Sequence, residues 1–228
     1  MPRICRQYPE ITAFKARSMR KTTVATLFSL LMTVPMSKPY AVATDAVLTL
    51  PEADRIAIET SLGQGILGQP VSAPVINYPS HFFTLTPATK LFNVVHGPNA
   101  GAQQPYQFFP APAHSDRAGW RYRAGDEEVG FLEVQDDGSL VMVGMEDVQA
   151  EALTHYDPPE PFLPRGLAPG DQRQVRMSVR VFAAGDANDI THRGELTVTY
   201  RYLGAYRLTV PAGTFNAVLT KSTFSGNV

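Results

Sequence analysis

Cysteine is almost missing from this chain: Cys5 is the sole one among 228 residues. No intramolecular disulfide can form, and no site built on several thiolates can be assembled. An apolar run long enough to span a bilayer is missing too, since the uncharged stretch Thr22–Met36 is interrupted by Thr, Ser and Pro and falls short of the roughly 20 residues that hydrocarbon demands. There is no Gly-x-Ser-x-Gly elbow, no His-Glu-x-x-His, no paired Cys-x-x-Cys and no phosphate-cradling glycine loop. The five histidines, His81, His96, His114, His155 and His192, are isolated in sequence, so a metal or general-base role would need convergence in space. No catalytic, cofactor-binding or metal-ligating residue is therefore assigned, and a non-enzymatic protein without a cofactor is expected.

What is present begins with a basic stretch, Lys15, Arg17, Arg20 and Lys21, followed by the apolar run closed by Pro35. Ala41-Val42-Ala43 supplies the small-x-small pattern read by a signal peptidase, so residues 1–43 are expected to be an export signal cleaved after Ala43, with Ala46 as the neighbouring option. Met19 opens a compact version of the same signal and is an alternative start. Cleavage would remove Cys5 and with it any lipid-bearing N-terminal cysteine, leaving a soluble protein of the periplasm or the extracellular space without a transmembrane anchor.

The full chain carries 20 basic and 21 acidic residues. Seven of the basic residues but only Glu10 of the acids precede the cut, so thirteen basic residues face twenty acids in residues 44–228, a net charge of −7. Lys90 and Lys221 are the lysines that remain, and the arginines are scattered. An acidic surface without a basic stripe argues against nucleic acid and anionic membranes as partners.

Residues 44–228 read as a single β-rich domain. Pro51–Leu62 predicts one short helix, with proline at its start, Glu52 and Asp54 near its positive end, Gly63 as a stop, and Ile56, Glu59 and Leu62 along one side. Short strands are expected at Val71–Ile76, His81–Leu85 and Leu91–Val95, and a long loop, serving as a lid or simply mobile, at Gly97–Gly119. Strands are expected at Gly119–Arg123, Glu128–Val134 and Ser139–Val143, the last two joined by an Asp137-Gly138 turn. Tyr156–Pro164 contains too many prolines for a helix or a central strand and reads as an extended connector. Val175, Met177, Val179 and Val181 alternate with polar residues, as do Leu196, Val198, Tyr200 and Tyr202, which predicts a long half-buried hairpin around Gly185–Gly194. A further hairpin turns at Pro211-Ala212-Gly213. The fold class is thus mainly β: a curved antiparallel sheet or half-barrel built of hairpins, with one short helix after the signal.

Two constellations carry polar groups. Asp186, Asn188 and Asp189 lie in one loop, but their spacing misses the calcium-binding pattern and a hairpin loop is favoured. His155 and Asp157 would share a side of an extended segment, without a recognisable nucleophile beside them.

At Tyr156-Asp157-Pro158-Pro159 through Leu163-Pro164, at Leu167 and Pro169-Gly170, and at Val210-Pro211-Ala212-Gly213-Thr214-Phe215, the chain resembles the exported bacterial family called domain of unknown function 3108. The resemblance covers about residues 120–228. It implies a curved sheet or half-barrel like that of periplasmic lipoprotein carriers, and a further strand returning beside the last one. It implies no activity.

Three functions follow as expectations. The first is a non-catalytic exported module holding a hydrophobic small molecule, or a partner's strand, on a curved sheet. The second is a structural or envelope-assembly protein without a small ligand. The third is a hydrolase built on His155 and Asp157. The strand starting at Thr214 is expected to leave an unpaired edge, guarded only by Lys221, which points to an incomplete domain or an edge covered by a partner. Expression in a bacterial host should yield a mature N-terminus at Thr44, give or take a few residues. N-terminal sequencing that found Met1 or Met19 on the exported protein would make the segment an uncleaved anchor.

Overall fold

The computed structural model describes residues 23–32, 47–83, 85–93, 101–111, 119–186, 188–210 and 213–227. The cleavage position at Ala43, Met19 and Cys5 lie outside them, as do His96, His114 and the Pro211-Ala212 pair. One antiparallel sheet contains all the described strands: β1 (Thr23–Met32), β2 (Leu67–Val71), β3 (Ala88–Asn93), β4 (Gln103–Pro110), β5 (Gly119–Ala124), β6 (Glu128–Val134), β7 (Leu140–Asp147), β8 (Ala152–Pro161), β9 (Gln172–Ala183), β10 (Ile190–Val210) and β11 (Gly213–Asn227). Their order is β1-β11-β10-β9-β8-β7-β6-β5-β4-β3, with β2 on β10 beyond the end of β9. From β3 to β11 every neighbour in space is a neighbour in sequence, so the body of the sheet is a succession of hairpins. It is curved and open: β1 and β3 stand at its two ends. The curl brings Tyr122 of β5 within 6.2 Å of Phe162 at the end of β8, although three strand spacings of about 4.8 Å separate their strands.

The helix α1 (Glu52–Leu62) starts after Pro51 and stops at Gly63, whose amide donates to the Glu59 carbonyl. Its buried side differs from the expected one. Ile58 is 1% exposed and Asp54 is buried beside it, whereas Ile56 is 56% exposed. The i, i+4 pair Asp54/Ile58 faces the sheet because Lys221 of β11 donates to Asp54 Oδ1 at 2.7 Å, and Arg201 of β10 lies 3.9 Å from its other oxygen. Ile58 joins Leu50, Leu67, Leu203, Tyr206, Leu208, Ala217 and Leu219 in a core cluster that seats the helix on β10 and β11.

Five other expectations are corrected. The stretch read as a loop at Gly97–Gly119 contains β4, in which Tyr106 and Phe108 alternate with Gln107 and pack inward; Pro105 and Pro110 had hidden that alternation. Tyr156–Pro164, read as a connector, overlaps β8, an interior strand between β7 and β9. The diproline fits because pairing with β9 ends at Asp157 and the register with β7 shifts between Met142 and Gly144, so Pro158 and Pro159 sit where no ladder donor is asked of them. Val71–Ile76 forms only the end of β2 and an isolated bridge from Ile76 to Leu167, while His81–Leu85 begins in a 3-10 turn at Pro79–Phe82. The second strand of the long hairpin, read at Leu196–Tyr202, and the first strand of the further hairpin are one, β10, with a bulge between Tyr202 and Gly204. The strand expected at Leu91–Val95 corresponds to β3, and its last two residues lie outside those described.

The edge of β11, expected to be open, carries β1 in antiparallel register from Thr23 opposite Gly226 to Met32 opposite Ala217. Elsewhere the expected bounds hold closely. Glu128–Val134 is β6, and Gly138 takes φ +82° in the turn that follows, where the Ser139 amide donates to Asp137 Oδ1 and holds that carboxyl below its ordinary pKa. Among the described residues no helix is long and apolar enough to cross a membrane.

The corrected helix face gives a paired test. Ile58→Ala should cost about 2–4 kcal/mol of unfolding free energy, and Ile56→Ala should stay within about 0.5 kcal/mol of the parent. Equal costs in denaturant melts would place the helix on the other face.

Candidate functional site

The concave face of the sheet is built by one continuous cluster. Phe92, Tyr106, Tyr122, Leu132, Leu140, Met142, Tyr156, Met177, Val198 and Tyr200 are buried in it, drawn from β3 through β10. Strand alternation explains this: direct partners such as Tyr106 and Ala124, Phe108 and Tyr122, or Trp120 and Leu132 share the inner side. Over that floor lie side chains that remain partly open to solvent, among them Phe108, Trp120, Met145, Phe162, Val181 and Phe224. The face is therefore apolar and aromatic, and only partly covered.

Polar groups are set into this floor. Gly130 of β6 lies opposite Tyr122, and the ring takes the space a side chain would need, since a Cβ there would lie 2.0 Å from Tyr122 Cε1. Laid across the glycine, the Tyr122 hydroxyl donates a hydrogen bond to Glu128 Oε1. On β8, Glu160 is 8% exposed. The Tyr200 hydroxyl stands 2.8 Å from the Pro161 carbonyl and 3.2 Å from Glu160 Oε1. It has one proton for two acceptors. With Glu160 protonated the chain is complete, the carboxyl donating to the Tyr200 oxygen while Tyr200 donates to Pro161; with Glu160 ionised, one acceptor goes short.

The electrostatics agree. Burial pushes the Glu160 carboxyl up to about 7; the Tyr200 hydrogen bond pulls it back, and the Glu128 carboxylate raises it further. Burial likewise raises Tyr200 and Tyr156, each also facing the Glu160 charge. The arrangement keeps the carboxylic acid protonated far above the ordinary carboxyl range, up to about pH 7, and in that form it can donate a hydrogen bond from within an apolar face. Sequence reading missed Glu160, Glu128, Tyr122, Tyr156 and Tyr200 as a group. Glu160 stands inside the diproline stretch whose resemblance implies no activity, and the alternation of Tyr200 was the one visible signal of the group.

His155 and Asp157 are both on β8, but the structure does not build a catalytic pair from them. The Arg180 guanidinium, 3.2 Å from His155 Nδ1, is the partner of the ring. Burial and the Arg180 charge hold the imidazole below its ordinary pKa, against a smaller upward pull from Asp157, which is itself exposed. Asp186, Asn188 and Asp189 form the β9–β10 loop, where the Asn188 amide donates to Asp186 Oδ1 at 2.9 Å. Among the described residues no three His, Cys, Asp or Glu side chains gather as a metal site. The chain matches no family model, no curated protein and no solved structure.

Stability should depend on pH through Glu160. Its folded pKa lies above the unfolded one, so the stabilisation is complete below about pH 4.5, falls as pH rises through 7, and is gone above that, a difference of roughly 3 kcal/mol. Glu160→Gln, which stays neutral, should lack this fall, and its melting midpoint should move above the parent's between pH 5 and pH 8. Parallel curves for the two proteins would mean that Glu160 does not hold its proton.

Proposed function

We propose that this chain is an exported, non-catalytic binding protein, released to the periplasm or the extracellular space after cleavage at Ala43, and that it holds an apolar molecule on its concave face. The observation that carries this reading is the partly uncovered aromatic surface of β4 to β11, with Phe108, Trp120, Met145 and Phe162 only half-buried against a buried floor. An apolar surface of that kind gains free energy when a hydrophobic molecule displaces its water. Below about pH 7 the protonated Glu160 beneath it adds no charge that an apolar ligand would have to desolvate. The basic stretch, the apolar run and Ala41-Val42-Ala43 support the export half.

A second reading, a partner's strand or an envelope-assembly role, is favoured by a separate observation. Cleavage at Ala43 would take β1 away and open the β11 edge from Ala217 to Gly226. That edge has a single charge, Lys221, already bound to Asp54. The hydrolase reading gains no support, because Arg180 occupies His155.

Purified protein should take up a hydrophobic fluorophore saturably and should carry lipid detectable by mass spectrometry of an organic extract. Trp120→Ala should weaken the uptake by roughly fivefold or more. No saturable uptake together with no co-purifying lipid would remove the ligand reading and leave the partner-strand one, which pull-down from envelope fractions would then test.

A further inference from the structure

The convex face carries a row of side chains that neither the fold nor the concave site requires. Register places Arg121, Phe131, Gly144, His155, Arg180 and Arg193 directly opposite one another across β5, β6, β7, β8, β9 and β10. Direct partners share a face and stand about 5 Å apart at Cβ. The Arg121 guanidinium lies over the Phe131 ring at 4.9 Å, its buried Nε making no hydrogen bond among the described residues. The other end is different: Arg180 and Arg193 are like charges placed opposite each other, next to a histidine.

Such a pair is destabilising in a sheet unless something lies between the charges. The chain has carboxylates nearby and does not use them. Glu195, one row along, is bound to Arg176, and Asp157 in that same row makes no ion pair with Arg180 or Arg193. His155 is the partner of Arg180, and among the described residues Arg193 has none. In a domain with thirteen basic and twenty acidic residues after position 43, two adjacent guanidiniums left without a carboxylate form a local field of the opposite sign to the whole.

We propose that His155, Arg180 and Arg193 form an oxyanion site on the convex face that takes a phosphate group, presented either as a free phosphate or phosphate ester or as a lipid headgroup. Two guanidinium forks borne by directly opposite residues can engage three or more oxygens, where a carboxylate offers two and satisfies one fork. The group's charge replaces the missing counter-ion between Arg180 and Arg193. While His155 Nδ1 accepts from Arg180, the other ring nitrogen carries the proton and is the donor the ring can offer a bound anion. The site lies on the opposite side of the sheet from the proposed apolar ligand and does not depend on that reading.

Calorimetric titration of inorganic phosphate into the purified chain at pH 7, against sodium chloride of matched ionic strength, should show saturable binding with Kd on the order of 1 mM. Arg193→Gln and Arg180→Gln should each weaken it at least fivefold, and Arg207→Gln, an exposed arginine on β10 outside the row, should leave it unchanged. Without phosphate, Arg193→Gln should melt about 1–2 °C above the parent, because the like-charge contact is gone, and should lose the parent's upward shift when phosphate is added. Co-sedimentation with phosphatidylcholine vesicles containing phosphatidic acid, absent with phosphatidylcholine alone and lost in Arg193→Gln, assigns the headgroup source. Free-phosphate binding without vesicle binding assigns a soluble phosphate. Absence of both, or equal loss in all three variants, overturns the proposal and leaves the row a solvated surface.

Discussion

The bulge at Leu203-Gly204 in β10 is the constraint on which the other parts of the structure depend. Up to Tyr202, alternate residues of this strand, Leu196, Val198, Tyr200 and Tyr202, face the concave side, and Tyr202 meets Ala73, Ile76 and Leu167 there. Past the bulge the phase is reversed: Leu203, Tyr206 and Leu208 belong to the cluster under the helix, and Ala205 faces the other way. One extra residue exchanges the two faces of a strand. Gly204 takes φ +117°, and a Cβ there would come within 3.2 Å of Leu48 Cβ, so glycine serves both the backbone and the approach of the N-terminal segment. The sheet can therefore bury one face against its own aromatics and the other against α1. Tyrosine hydroxyls fasten the segment in place: Tyr202 donates to the Pro74 carbonyl at 3.0 Å and Tyr206 to the Leu48 carbonyl at 2.8 Å. Two phenol groups thus satisfy carbonyls of a stretch with little regular structure of its own.

How much of this was legible depended on whether the determining contacts are local. The helix start at Pro51, the bounds of β6, the Asp137-Gly138 turn and the alternation along β9 all follow from neighbours within a few residues, and they were read correctly. β4 and β8 were not, because proline was weighed as if every position in a strand had to donate. Pro158 and Pro159 escape that demand through a register shift created by β7, which nothing within β8 announces. The helix face failed for a related reason. Asp54 turns inward because Lys221, far along the chain, reaches it, and a carboxylate on a buried face has no sequence signature.

The candidate site was illegible for the same physical cause at larger scale. The Glu160 carboxyl rises to about 7 because the sheet buries it and, secondarily, because Glu128 on another strand is brought near, against a downward pull from Tyr200, forty residues away. A lone glutamate among prolines is ordinarily a surface residue. What the sequence did expose, His155 beside Asp157, was a proximity along the strand, and cross-strand contact overrode it. In a pleated sheet the residue directly opposite stands closer than the one two positions along, so Arg180 claims the imidazole.

The same register accounts for the opposite character of the two faces. On β5 through β10, a row whose inward members are Trp120, Leu132 and Met142 adjoins a row whose outward members are Arg121, Phe131, His155, Arg180 and Arg193. A slip of one residue between any two strands would carry cations into the aromatic floor and leave its side chains in water, so the apolar side enforces alignment of the charged side. The alignment of Arg180 with Arg193 is thus a consequence of burying Val179 and Met177 in the floor, and its electrostatic cost is carried by the hydrophobic gain beneath it. Glycine marks the two places where this coupling is tightest. Gly130 lets Tyr122 lie flat on the inner side, and Gly144, where a Cβ would come within 2.6 Å of the Thr154 carbonyl, leaves the outer row between Phe131 and His155 without a side chain. The cationic end is thereby separated from the Arg121–Phe131 stack, and Arg180 and Arg193 are left to meet an anion from outside the chain.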